Sequence, residues 1–142
     1  MNLERLSFIR EDKDMKQSEL ATIIDVNQST ISRWEKSSEI PSLEKLNKIA
    51  NYFNISLDYL LHLSDKKTAI KKTNLNKKEI GKRLKHFRKE NDITQIELAE
   101  FLNTTHSTIA GYESGKTMIL TSFAYQICKK YKISLDWLCG KK

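Results

Sequence analysis

The 142-residue chain carries a net charge of +7, and one Pro and four Gly among many Leu, Ile, Lys and Glu favour a helical protein throughout. No apolar run approaches the length of a membrane span, and Met1-Asn2-Leu3-Glu4-Arg5 lacks the basic-then-apolar layout of a signal peptide. A cytoplasmic protein is expected, and a basic total directs attention to polyanionic partners.

Leu3, Leu6 and Ile9 recur at helical spacing, with Asn2 placed to cap them. A charged turn, Asp12-Lys13-Asp14, follows. Gln17 then opens a short helix with Leu20, Ala21 and Ile24 on one face, and Asp25 ends it. Asp and Asn tolerate left-handed backbone better than other non-glycine residues, which suits a tight turn between helices. Asn27 is placed to cap a third helix carrying Ile31 and Trp34. Pro41 and Ser42 start a fourth with Leu43, Leu46, Ile49, Ala50 and Phe53. Ser56 caps a short fifth helix containing Leu57, Leu60 and Leu61.

The same pattern then returns. Residues 3–62 lie on residues 81–140 at a constant offset of 78 without a gap. Gln17-Ser-Glu-Leu-Ala21 falls on Gln95-Ile-Glu-Leu-Ala99, Ser29-Thr-Ile31 on Ser107-Thr-Ile109, and Ile55-Ser-Leu-Asp58 on Ile133-Ser-Leu-Asp136. Asn103 replaces Asp25 at the turn, Thr105 replaces Asn27 at the cap, and Tyr112 replaces Trp34. Each copy is long enough for one small core but not two. Two copies are too few for a solenoid. Two domains are therefore expected, 1–65 and 79–142, with 66–78 as a linker.

The charge is uneven. Residues 1–65 hold eight Lys/Arg against eleven Asp/Glu, residues 66–78 six Lys and no acid, and residues 79–142 eleven against seven. Fully extended, the thirteen residues 66–78 reach at most about 43 Å. Ile70 and Leu75 offer the alternative of a helix running back from the second domain.

Two short helices joined by a three-to-four-residue turn, inside a five-helix unit, make a helix-turn-helix. Gln17-Ser-Glu-Leu-Ala, Asn27-Gln-Ser-Thr-Ile-Ser-Arg-Trp-Glu35, Ile40-Pro-Ser-Leu and Ile55-Ser-Leu-Asp-Tyr-Leu-Leu61 together resemble the phage repressor and Cro type of helix-turn-helix, the Xre family. The second copy resembles it over residues 80–140. It departs at Gly111, where the first copy has Arg33, and at Met118-Ile119-Leu120 in place of Ile40-Pro41-Ser42. The resemblance implies an all-α chain of two tandem five-helix lambda-repressor-like helix-turn-helix domains joined by a basic linker.

It also implies a partner, double-stranded DNA, with the third helix of each copy in the major groove. Gln28, Ser29, Ser32 and Arg33 would then read bases. Gln can bond adenine at two points, Arg guanine, and Ser either. His106, Ser107 and Ala110 are their counterparts in the second copy, where Gly111 offers no side chain, so weaker reading is expected there. Gln17 and Gln95, at helix starts, would contact phosphate, with Asn27, Thr105, Lys36 and Lys116 beside them. Solvent-facing Lys is the plainer reading of the last two. Arg10 and Glu35 recur as Arg88 and Glu113, 25 residues apart in each copy. The resemblance implies an ion pair in each. Trp34 and Tyr112 could stack on bases, but each lies three residues after a core Ile, so core packing is expected.

No catalytic motif, paired-cysteine or HExxH metal signature or Gly-rich phosphate loop is present, so no enzyme, cofactor or metal is expected. His62, His86 and His106 do not align with one another. Cys128 and Cys139 align with Ala50 and Leu61 and read as core filling in a reducing compartment. The expected function is a sequence-specific transcriptional regulator, a repressor acting by occupancy. The alternative gives DNA binding to the first copy, and dimerisation or another protein, as in an antitoxin or inhibitor, to the second. A homodimer stays open.

Overall fold

A computed structural model describes residues 1–67 and 71–142. The described residues form ten helices and no strand, in two compact units, Met1–Thr73 and Asn74–Lys142. The first unit comprises α1 (Glu4–Asp12), α2 (Gln17–Ile24), α3 (Gln28–Glu35), α4 (Leu43–Phe53) and α5 (Leu57–Leu60). The second repeats them as α6 (Lys77–Glu90), α7 (Gln95–Phe101), α8 (His106–Glu113), α9 (Thr121–Tyr131) and α10 (Leu135–Leu138).

Each unit closes around one small core. In the first, Leu6, Leu20, Ile31, Leu46, Ile49 and Leu57 are fully buried, and their counterparts Leu84, Leu98, Ile109, Ala124, Ile127 and Leu135 repeat the arrangement in the second. Removing this surface from water is the main favourable term in folding. Trp34 and Tyr112 belong to these cores, so their rings face inward rather than toward a ligand. Cys128 and Cys139 are buried too, as are Ala50 and Leu61 in the first unit.

The turns follow from short polar residues. Asp25 (φ 62°) and Asn103 (φ 56°) take left-handed backbone after the second helix of each unit. This reverses the chain tightly enough to set α3 on α2, and α8 on α7. Ser42 accepts from Lys45 N at 3.2 Å, Ser56 from Tyr59 N at 2.9 Å and Ser134 from Trp137 N at 3.1 Å, each satisfying a free helix-start donor. Asn27 differs from the expectation of a side-chain cap. It stands at the cap position with extended backbone, but its side chain makes no capping bond, whereas Thr105 accepts from Thr108 N at 3.3 Å.

At the end of the first unit, Thr73 O accepts from the buried Asn47 Nδ2 at 2.7 Å. Lys77 and Lys78 already form the first turn of α6, capped by Asn76 Oδ1 on the N–H groups of Lys78 and Glu79 at 2.9 and 3.1 Å. α6 therefore does not run back through Leu75; the other residue of that alternative, Ile70, lies outside the described residues.

A pair of arginines unremarked in the sequence fastens the last helix of each unit to its first. Arg5 NH1 donates to Tyr59 O at 2.9 Å and Ser64 O at 2.6 Å, with its guanidinium 4.3 Å from the Tyr59 ring centre. Arg83 repeats this on Trp137 O and on Lys142 O at 3.0 Å, lying 5.4 Å from the Trp137 ring. The signal was present in the offset of 78, which superposes Arg5 on Arg83 and Tyr59 on Trp137.

Candidate nucleic-acid interface

The exposed face of α3 presents Gln28, Ser29 and Arg33, with Ser32 half-buried at its edge. These residues fall one turn apart, so one helix face carries all four. The buried face of the same helix, Ile31 and Trp34, fixes its rotation against the core. In the second unit His106 and Ser107 are exposed on α8 and Ala110 is half-buried.

What holds α3 in place is a repeated polar constellation. Arg10 Nε donates to Glu35 Oε2 at 2.7 Å and Arg10 NH2 to Glu35 Oε1 at 2.9 Å, a two-point contact between the first helix and the end of the third. Arg10 NH1 donates to Met15 O at 2.6 Å, tying in the turn before α2. Gln17 Nε2 completes the group by donating to Glu35 Oε1 at 3.0 Å. The second unit matches it: Arg88 Nε to Glu113 Oε2 at 2.6 Å, NH2 to Oε1 at 2.9 Å, NH1 to Ile93 O at 2.9 Å, and Gln95 Nε2 to Glu113 Oε1 at 3.0 Å. The hydrogen bond to the glutamate, against the opposing effect of burial, raises the pKa of Arg10 and of Arg88. The arginine and glutamate side chains are 10% and 7% exposed in the first unit and 11% and 4% in the second, so solvent screens neither pair strongly.

The start of α2 is thus locked to the end of α3 through one carboxylate. Asn27 and Lys36 are exposed at the two ends of α3. Thr105 is exposed in the place of Asn27, with its Oγ1 also 2.9 Å from Thr108 Oγ1, while Ser114 takes the place of Lys36 and the exposed Lys116 lies just beyond it. An open depression of about 550 Å³ in the second unit brings Gln95 and His106 together with Lys89, Thr94, Ile93 and Ile96. Ile96 is 58% exposed where the first unit has Ser18, so this face of the second unit is the more apolar.

Two residues beside the exposed face of α3 were not legible as site residues. Thr30 and Glu39 both approach the Arg33 guanidinium, at 3.2 Å and 3.6 Å. Among the described residues no group of three or more His, Cys, Asp or Glu could hold a metal ion, and no helix is long and apolar enough to cross a membrane.

A family model described as helix-turn-helix matches twice, at residues 6–60 and 84–138. The chain is 34% identical over 58 residues to the HTH-type transcriptional activator BcrR of Enterococcus faecalis, covering 41% of this chain and 28% of that protein. It is 34% identical over 62 residues to the antitoxin PezA of Streptococcus pneumoniae, 44% of this chain and 39% of that one. It is 26% identical over 98 residues to the HTH-type transcriptional regulator ImmR of Bacillus subtilis, 69% of this chain and 76% of that one. The matches thus span well under half of the first two relatives. No solved structure gives a significant match.

Proposed function

The chain belongs to the Xre-type helix-turn-helix family, and we propose that it is a sequence-specific DNA-binding transcriptional regulator, acting as a repressor by occupying its site. The observation that carries this reading is the Arg–Glu–Gln constellation. It fastens the end of α3 in the first unit and of α8 in the second, each with its outer face open to solvent. A base-reading helix needs such support, because two-point contacts to base edges tolerate little misplacement.

In this reading Gln28, Ser29, Ser32 and Arg33 meet base edges in the major groove. Gln17, Asn27 and Lys36 meet the flanking phosphates. The Gln17 amide directs one N–H to Glu35 and has a second for a phosphate oxygen. His106, Ser107 and Ala110 read with less discrimination in the second unit, with Gln95, Thr105 and Lys116 on the backbone. Asn74–Lys142 carries thirteen Lys/Arg against seven Asp/Glu and supplies most of the attraction to the polyanion, while Met1–Thr73 carries twelve against eleven.

Selection of bound sites from a pool of random duplexes by the full chain tests the reading. An enriched sequence motif is expected, and a bound pool indistinguishable from the input would reject it. A second reading, in which the second unit pairs chains or binds another protein, draws on the exposed Ile96 and Leu120, 58% and 55% accessible, and on the missing side chain at Gly111.

A further inference from the structure

One exposed side chain of α3 has its direction set by its neighbours. Arg33 NH2 donates to Thr30 Oγ1 at 3.2 Å, one turn earlier in the helix. Its Nε lies 3.6 Å from Glu39 Oε1, in the loop that follows. One is a hydrogen bond and the other a charge contact beyond hydrogen-bond distance; both lie on the Nε/NH2 side of the planar guanidinium and bias its rotation. NH1 meets no acceptor among the described residues. The outer edge, NH1 with the second N–H of NH2, is therefore left as a pair of parallel donors. That pair matches the O6 and N7 acceptors of guanine.

The second unit supplies an internal comparison. At the offset of 78, Arg33 becomes Gly111 and Glu39 becomes Thr117, so the arginine and its acid are absent together. Thr30 persists as Thr108, but there its hydroxyl lies 2.9 Å from Thr105 Oγ1. An acid beside a reading helix repels the phosphate backbone. It occurs in the unit where it has a guanidinium to orient.

We propose that Glu39 is a positioning residue for DNA specificity: with Thr30 it holds the Arg33 guanidinium so that its outer edge meets one guanine. Glu39 thereby sharpens discrimination at one base pair while lowering affinity for DNA in general. The inference rests on the proposed reading of a base by Arg33.

The test uses the full chain and a duplex that the wild-type protein enriches from a random pool. Binding is measured for that duplex, for its single-base-pair substitutions and for an unrelated duplex, with the wild type, Arg33→Ala, Glu39→Ala and the double variant. Arg33→Ala is expected to relax one base pair. Glu39→Ala is expected to relax the same pair about two- to five-fold, the range open to an exposed ion pair, while binding the unrelated duplex more tightly. In the Arg33→Ala background, Glu39→Ala should change discrimination no further. Reduced discrimination together with tighter binding of the unrelated duplex separates positioning from a folding defect, which would lower every affinity. If Glu39→Ala leaves discrimination unchanged or raises it, the inference is overturned and the reading of Arg33 stands. If Arg33→Ala relaxes no position, or no duplex is enriched, both fall.

Discussion

Gln17 donates to Glu35 across 18 residues of sequence, and Gln95 repeats that bond on Glu113 at the same 3.0 Å. One carboxylate in each unit therefore receives three donated hydrogen bonds, two from an arginine and one from a glutamine. The start of the second helix cannot shift without disturbing the end of the third. In the proposed reading, recognition and stability are coupled through this group.

Removing the acid should therefore cost more than removing its neighbour. Glu35→Ala leaves the largely buried Arg10 with only the exposed Glu11, 3.6 Å from its NH2, as an anion, at a cost of about 3 kcal/mol. Lys36→Ala removes an exposed charge and should stay within about 0.5 kcal/mol. Denaturant unfolding of the full chain, followed by near-ultraviolet signals from Trp34 and Trp137, compares them. Equal effects would remove the coupling idea, and Glu113→Ala against Lys116→Ala repeats the trial in the second unit.

Two glycines of the second unit should respond in opposite directions to alanine. A Cβ on Gly81, inside α6, would stand 2.3 Å from Tyr112 O and 2.8 Å from Glu113 O, both main-chain atoms that cannot move aside cheaply. Gly81→Ala should destabilise the unit even though Ala favours a helix over Gly by about 1 kcal/mol. A Cβ on Gly111 meets only Thr117 Oγ1, at 3.4 Å. Gly111→Ala should therefore gain up to about 1 kcal/mol. Thermal midpoints of the two variants check both signs.

Stability of the second unit should rise with pH below the tyrosine range. Lys141 is 1% exposed beside the fully buried Asp136. Burial lowers its pKa from the ordinary 10.5, with Asp136 opposing the shift. Between the lowered folded value and 10.5 the unfolded chain binds more protons, so stability climbs as pH rises through that window. Tyr112 acts the other way: burial raises its pKa above 10.0, and its stabilising effect is lost as pH rises from there through the folded value. Unfolding free energies of the wild type and Lys141→Met, measured from about pH 7 to about pH 10, should diverge in slope. Parallel profiles would contradict the assignment.

The fold was legible because its signals are local. The apolar spacing of Leu20, Ala21 and Ile24, the left-handed Asp25 and the capping Ser42 and Ser56 all act within a few residues, and the offset of 78 writes them twice. The start of α6 at Lys77 was hidden because its first turn is part of the lysine-rich run. The spacing of Arg10 and Glu35 could be read in duplicate. The Gln17 bond to Glu35 and the Thr30 and Glu39 contacts of Arg33 depend on side-chain directions that spacing does not carry. Lys141 was the least legible, since a lysine ordinarily faces solvent.

The central claim is DNA binding divided between two unequal modules: base preference from the first unit, backbone affinity mainly from the second. Binding of residues 1–73, residues 74–142 and the intact chain, across a salt series on the enriched duplex and a scrambled one, tests it most directly. The first fragment should keep the base preference but bind weakly, with a shallow salt slope. The second should bind both duplexes with a steeper slope, since that slope counts neutralised phosphates. The intact chain should exceed both, because the tether makes the second docking intramolecular. Failure of all three to bind even at low salt would contradict the claim outright. An inert second fragment beside a binding first one would make the second unit a protein-contact module instead.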